Sequence, residues 1–311
     1  MVMLQTVKGP VAVDSLGLIL PHEHLFVDLR GPLAPDYGEA DPQAVAALMK
    51  PYLDAAHAAG VTAFVDCAPV GAGRSIAVLR HLADLTPIHI VAPTGVYKQG
   101  FIPTAWLDLS PEALAEIWIR ELTEGIGETD SKAGFIKVAL VDEGPTSIEA
   151  RNLRAAALAS KATGATIGSH TIGGVAARAE MDILEAAGQD LSRFIWIHAH
   201  TEADTNIHVE AARRGAWVEF DAIGAQEWFP DQDKLVDFTM RLMEAGYTDH
   251  ILLSHDAGWY EVGSLGGLPK SGVRGYTALT DWFIPALRSR GVNETEIHQL
   301  TVTNPARAYA L

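Results

Sequence analysis

Short apolar runs alternate with alanine-rich stretches about eight times along the chain. The runs read as strands: 17–24 (GLILPHEH), 61–69 (VTAFVDCAP), 88–97 (IHIVAPTGVY), 133–140 (AGFIKVAL), 165–171 (ATIGSHT), 194–201 (FIWIHAHT), 216–222 (AWVEFDA) and 250–257 (HILLSHDA). Helices are expected between them. The first starts at Asp41, an N-cap residue with Pro42 at the first helical position, and ends at Gly60. Others cover 75–85, a stretch opened by Ser110-Pro111-Glu112, then 147–163, 176–187, 206–214, 234–245 and 277–290. A last helix is expected to start at Asn304-Pro305, again a cap followed by proline.

Eight strands alternating with helices imply an all-parallel sheet in an α/β protein. At this length a closed (β/α)8 TIM barrel fits better than an open doubly wound sheet. Strand one runs into PHEH rather than a glycine-rich turn, and neither GxGxxG nor GxxxxGK[ST] occurs in the chain. No low-complexity segment or Pro/Gly/Ser linker divides it, so residues 1–311 are expected to form a single domain.

Composition narrows the partners. Of 311 residues, 48% are apolar and 20% charged, which excludes a disordered chain. Lys and Arg number 23 against 39 Asp and Glu, a net charge of −16 that disfavours nucleic acid and anionic lipid. A bound cation can reverse that field locally, so an anionic substrate stays open. The one cysteine, Cys67, permits no intrachain disulfide and reads as a small buried hydrophobe. No apolar run approaches the roughly 20 residues that span a bilayer. Lys8, Gly9, Pro10 and Asp14 interrupt the N-terminal stretch, which lacks a signal-peptide pattern. A soluble, cytoplasmic protein acting on a small molecule is expected.

Six of the twelve histidines, His22, His24, His170, His198, His200 and His255, fall at the C-terminal ends of expected strands one, five, six and eight. In a barrel those ends form the catalytic face. His22 and His24 are two apart, so on a strand both point to one side while Glu23 faces away. Lys137 sits mid-strand, where an amine is costly to bury. Three readings compete: a carboxylate partner in the barrel, a Schiff-base lysine as in aldolase-type barrels, or an amine that has captured CO2. The carbamate formed in the last case is an anionic two-oxygen ligand, and the histidine-rich rim favours it. Asp256, ending strand eight, can bind a metal with one oxygen and take a proton with the other. His255 beside it is expected to point the opposite way. His200 shares a side with His198, and its role is left open between support and substrate contact.

This set resembles the phosphotriesterase family of the amidohydrolase superfamily over nearly the whole chain: PHEHL, KAGFIKVA, TGATIGSHT, LSRFIWIHAH, ILLSHDAG and the closing Asn304-Pro305-Ala306-Arg307 arrive in the family's order. The resemblance implies that His22, His24 and Asp256 hold a more buried metal ion and that His170 and His198 hold a more exposed one. Carbamylated Lys137 (N6-carboxylysine) and a hydroxide would bridge the two. Imidazole and carboxylate ligands suit Zn²⁺, with Mn²⁺ or Co²⁺ as alternatives. The hydroxide would attack the substrate carbonyl and Asp256 would shuttle the proton. The turn Thr94-Gly95-Val96-Tyr97 looks like the tyrosine-bearing turn of the family's lactonases, which makes Tyr97 a candidate substrate contact. The glycine-rich loop 258–275 carries Trp259, Tyr260, Lys270 and Arg274, with Tyr276 just beyond. Lys270, Arg274 and Tyr276 are further candidate substrate contacts, the two cations for a remote phosphate or carboxylate. Trp228 and Phe229, after strand seven, would add bulk near the mouth if that loop folds inward. Ala199-His200 departs from the run that follows this histidine in triesterases. The reading is a lactonase, with sugar lactones and phosphorylated sugar lactones among its substrates. The alternatives are a phosphotriesterase or amide hydrolase on the same metals and, more remotely, a Schiff-base aldolase using Lys137. The family resemblance implies a homodimer.

Overall fold

The computed structural model describes residues 2–311. An antiparallel hairpin, β1 (Met3–Thr6) and β2 (Gly9–Ala12), opens the chain. Strands β3 (Leu18–Val27), β4 (Val61–Asp66), β5 (His89–Val91), β6 (Pro93–Gly95), β7 (Phe135–Ala139), β8 (Ile167–His170), β9 (Phe194–Ile197), β10 (Trp217–Phe220) and β11 (Ile251–Leu253) follow, and β12 (Gly258–Glu261) comes after them. The helices are α1 (Pro42–Ala58), α2 (Ile76–Leu85), α3 (Pro111–Thr123), α4 (Ser147–Thr163), α5 (Gly174–Ala186), α6 (Thr205–Arg213), α7 (Asp233–Glu244), α8 (Ile284–Ser289), α9 (Glu294–His298) and α10 (Asn304–Tyr309). Local chemistry sets their starts. The Asp41 carboxylate accepts from Gln43 N at 3.0 Å, and Ser110 Oγ accepts from Ala113 N at 3.2 Å. Thr146 and Glu149 form a reciprocal capping box on α4.

Apart from the opening hairpin, every strand pair is parallel. One run pairs in the order β11-β10-β9-β8-β7-β6 and the other in the order β12-β3-β4-β5. β5 and β6 are the two halves of the expected third strand, parted at Ala92 before Pro93, whose nitrogen has no hydrogen to donate. On the far side the end of strand eight bonds to β3, His24 N to Ala257 O at 2.9 Å and Asp256 N to His22 O at 3.2 Å. Together they close the (β/α)8 barrel read from the alternation. The larger core lies between strands and helices. A second core fills the lower barrel, where Leu4 from β1 and Tyr309 from α10 join Ile19, Phe135 and Ile195. The rings of Phe135 and Tyr309 meet edge to face at 5.1 Å. With its base packed, the barrel leaves the C-terminal strand ends for chemistry.

Three expectations are corrected. Strand six stops at Ile197: His198 is left-handed (φ +66°) and residues Ala199–Thr201 form a tight 3₁₀ turn, so His198 and His200 are not related by strand alternation. The final helix α10 begins at Asn304 as expected, but Asn304 does not cap it. That residue is helical (φ −63°, ψ −55°) within a run that continues from α9 through a wide turn, and the cap is Asn293. The Asn304 amide instead donates to Thr248 O (2.7 Å) and Ile251 O (2.9 Å), tying the helix to the base of β11. The loop after strand eight is partly ordered as β12, which pairs with β3 at Gly258 and His24.

Candidate metal centre

The floor of the mouth is built first by β3. Ile19 faces the barrel core and Leu20 the helices. The register against β4 then shifts between Leu20 and Glu23, across Pro21. A bulge of this kind re-aims side chains, and beyond it both His22 and His24 line the cavity. Asp256 reaches the same point from the end of β11, with Oδ1 at 3.0 Å from His24 Nε2 and 3.4 Å from His22 Nε2. It too is left-handed (φ +48°), a conformation that costs energy and recurs at functional sites. These three residues form a group able to hold a cation.

A second pair of imidazoles stands beside the first. His170 ends β8, and its Nδ1 lies 2.8 Å from Nε2 of His198. Nδ1 of His198 lies 3.0 Å from a carboxylate oxygen of Asp221, which fixes its hydrogen there and leaves a lone pair on Nε2. Two imidazole nitrogens therefore converge on one spot, and the His22 and His198 rings are 5.2 Å apart. Imidazole nitrogen with carboxylate oxygen is the donor chemistry of borderline divalent ions, so the residues fit a metal centre.

Lys137 lies in the middle of β7, 2% exposed, on the wall of the same cavity. Among the described residues no carboxylate forms an ion pair with it, which removes the reading of a lysine paired in the barrel. Gly95 opposite has φ +102°, and a Cβ there would stand 1.9 Å from Lys137 O, so only glycine lets β6 approach. Tyr97 follows on that turn and packs edge-on against His170 at 5.4 Å. The remaining wall is largely apolar, formed by Val27, Leu29, Ala72 and Trp259 around a cavity of about 140 Å³.

The electrostatics follow from burial and close charge. Burial would push Asp256 up, but His22 and His24 beside it hold the carboxyl well below its usual range. His22 is driven down to about 3, first by burial and then by the Lys137 charge. Burial likewise keeps the Tyr97 phenol protonated far above neutrality. Glu219 is pushed well up by burial and by Asp221 beside it. Asp221 is held low against its own burial by His198, His200 and His22.

Of the expected site residues, the cavity brings together His22, His24, Tyr97, Lys137, His170, His198 and Asp256. It does not bring in three others. Lys270 is exposed on the outer loop and forms no part of the wall. Tyr276 is buried against Phe64, and its hydroxyl donates to His24 O at 2.6 Å, so it props the HxH strand rather than meeting a substrate. Arg274 donates to Asp256 O and to Ile223 O (3.3 Å) and lies over the Trp228 ring, bracing two loops. His255 points away from the cavity as expected, and His200 sits behind the site, with Nδ1 3.0 Å from Asp221. Glu219 and Asp221 were not anticipated. They are two apart in AWVEFDA, so the alternation argument applied to His22 and His24 would have found them.

The sequence profile of the Phosphotriesterase family matches residues 2–309. A "Phosphotriesterase homology protein" of Mycobacterium tuberculosis is 33% identical, with 98% of this chain and 97% of that protein covered. Among solved structures, an organophosphorus hydrolase from Deinococcus radiodurans superposes with a TM-score of 0.90 at 33% identity, covering 99% of this chain and 96% of that one. A mutant PTE-like lactonase from the same organism superposes at 0.88 with 33% identity, covering 98% and 99%. With a barrel of the same shape and His/Asp groups able to hold metal at its mouth, the chain belongs to the phosphotriesterase family, binuclear metal hydrolases that act on ester bonds.

Proposed function

We propose that the chain hydrolyses lactones with two divalent cations, Zn²⁺ foremost, held by His22, His24 and Asp256 on one side and by His170 and His198 on the other. Lys137 would stand between them as its carbamate, formed when the neutral amine adds CO2 and releases a proton. A buried amine without a carboxylate partner supports that modification, since the carbamate exchanges an uncompensated cation for a ligand with two oxygens.

The observation that carries the lactone reading is the distribution of polarity in the cavity. Its charged groups are gathered on the floor, while Val27, Leu29, Ala72 and Trp259 leave the wall apolar with one phenol, Tyr97, beside His170. Such a wall suits a neutral ester with apolar substituents. The two cations expected for a remote phosphate do not reach it, because Lys270 lies outside and Arg274 is spent on backbone carbonyls; the cation beside the wall is instead Lys98, with Nζ 5.8 Å from the Tyr97 ring.

When bound, the cations supply Lewis-acid polarisation of the carbonyl and a water acidified toward neutrality. The residues of the chain do the rest. Asp256, ionised at neutral pH, accepts the proton of the attacking water and returns it to the ring oxygen as the C–O bond of the lactone breaks. The water oxygen ends in the new carboxyl group and the ring oxygen in the new hydroxyl. Tyr97, protonated and at the wall, donates a hydrogen bond to the ester. Trp259, edge-on to His24 at 5.9 Å, excludes water from that side.

The test is a panel of γ- and δ-lactones, aryl dialkyl phosphates and N-acyl amines given to zinc-replete protein. The expected result is a kcat/KM for the best lactone at least about 100-fold above the best of the other classes. A triester or amide preference would overturn the lactone assignment and leave the family intact.

A further inference from the structure

Asp221, just past the end of β10, is fully buried and faces three imidazoles. Its Oδ2 lies 2.8 Å from Nδ1 of His22, and its Oδ1 lies 3.0 Å from Nδ1 of His198 and 3.0 Å from Nδ1 of His200. Oδ2 also accepts from the backbone N of His198 at 3.2 Å. No lysine or arginine among the described residues pairs with it. A buried carboxylate needs such donors; Nδ1 of His198 meets hydrogen-bond geometry with Asp221, whereas Nδ1 of His22 is hydrogen-bonded to Glu219 Oε1 (2.8 Å) and Nδ1 of His200 has no hydrogen-bond partner among the described residues. The opposite nitrogens face the cavity: His22 Nε2 stands 3.4 Å from Asp256, and His198 Nε2 meets His170 Nδ1.

We propose that Asp221 couples the two cation positions: it takes the Nδ1 hydrogen of His198 and stands together with Glu219 against Nδ1 of His22, so that Nε2 of both rings faces the cavity at once. The inference rests on the reading above that gives these histidines to different cations. Asp221 is then a positioning residue, and His200, with Nδ1 3.0 Å from Asp221, sits behind it rather than lining the cavity. A neighbour supplies the contrast. Oε1 of Glu219 lies 2.8 Å from Nδ1 of His22 and has no such contact with His198. Glu219 serves one cation position; Asp221 serves both. A different arrangement is also open to the same atoms, since His22, His198 and Asp221 form a three-residue group able to hold an ion themselves. The two arrangements differ in what loss of the carboxylate does.

Metal-free protein, checked for folding by circular dichroism and thermal melting, is titrated with Zn²⁺ alone against a chromophoric chelator, and bound zinc is counted at saturation. Wild type is expected to take up two ions. In Asp221→Asn both dissociation constants rise, each by about 10–100-fold, the usual cost of losing an outer hydrogen-bond partner. In Glu219→Gln only one rises. If Asp221→Asn loses one ion and leaves the other unchanged, Asp221 is itself a ligand and the proposal is overturned. Two ions at unchanged affinity overturn it as well. Wild-type protein that binds no zinc overturns the metal reading and this inference together. Zinc-loaded wild type provides a second readout that does not depend on the variant folding. In ¹⁵N-histidine spectra, Nδ1 of both His22 and His198 is expected to carry hydrogen, and a bare Nδ1 on either residue overturns the proposal.

Discussion

Oε1 of Glu23 accepts from Nδ1 of His255 at 2.5 Å, with both side chains wholly buried outside the barrel. The hydrogen is on Nδ1, because Nε2 of His255 accepts from Leu279 N at 2.9 Å. The same carboxylate accepts from Ser254 Oγ, His255 N and Ala257 N. The acid inside the His22-Glu23-His24 motif therefore grips the segment that carries Asp256. His22 and His24 face one side of β3, and Glu23, the anchor of the Asp256 segment, faces the other. A period of two makes that division possible.

Glu23→Gln is expected to separate anchoring from ligation. The amide can accept from some of these donors but loses the charge that His255 and two backbone N–H groups share. Weakening hydrogen bonds to a buried charged group in this way costs about 1.5–3 kcal/mol. The expected outcome is lower stability in urea together with a kcat reduced by at least about tenfold, because the left-handed Asp256 loses its support. An unchanged kcat would show that Asp256 is held without Glu23.

Lys137→Ala is expected to remove metal and turnover together. Elemental analysis should find less than one zinc per chain in the variant, and ¹³C-bicarbonate should give a carbamate resonance in wild type that the variant lacks. Full zinc loading in Lys137→Ala would contradict the bridging role. The aldolase alternative makes the opposite prediction, since borohydride with a carbonyl substrate would then label wild type at this lysine.

Tyr97→Phe keeps the edge contact with His170 and deletes only the hydroxyl. If the phenol donates to the ester in the transition state, kcat/KM for lactones should fall about tenfold, the worth of one hydrogen bond, with zinc content unchanged. Equal activity in the variant would assign the ring to packing alone.

Much of this arrangement was legible because strands declare their two faces. The spacing of His22 and His24, the buried position of Lys137 and the strand-end places of His170 and Asp256 follow from alternation within apolar runs. What escaped has physical causes. His198 and His200 look like a second HxH, but the left-handed turn at His198 breaks the period, and a positive φ on a non-glycine residue leaves no mark in the sequence. Lys270, Arg274 and Tyr276 sit in a loop whose path depends on long-range contacts, such as Tyr276 with His24 O, which no local pattern reports. Asn304-Pro305 does open α10, but Asn304 is no cap, because the helical run continues into it from α9 and proline is tolerated in that first turn.

Glu180, behind β8, supplies a further pH dependence. It is wholly buried on α5; Oε2 accepts from Thr171 Oγ1 at 2.6 Å, and Oε1 has no partner. Burial raises its pKa from 4.5 to about 8, against the opposing hydrogen bonds of Ser169 and Thr171. The folded chain thus keeps a proton that the unfolded chain releases near 4.5. Its stabilising contribution is complete below pH 4.5, declines as pH rises, and is gone once the pH has passed through about 8. The slope cannot exceed about 1.4 kcal/mol per pH unit. Glu180→Gln keeps an acceptor for Thr171 and cannot ionise. Unfolding free energies of metal-free wild type and variant, compared from pH 5 to 9, should diverge in favour of the variant up to about pH 8 and run parallel above it. Parallel curves throughout would mean that Glu180 is already ionised in the folded protein and that burial does not hold its proton.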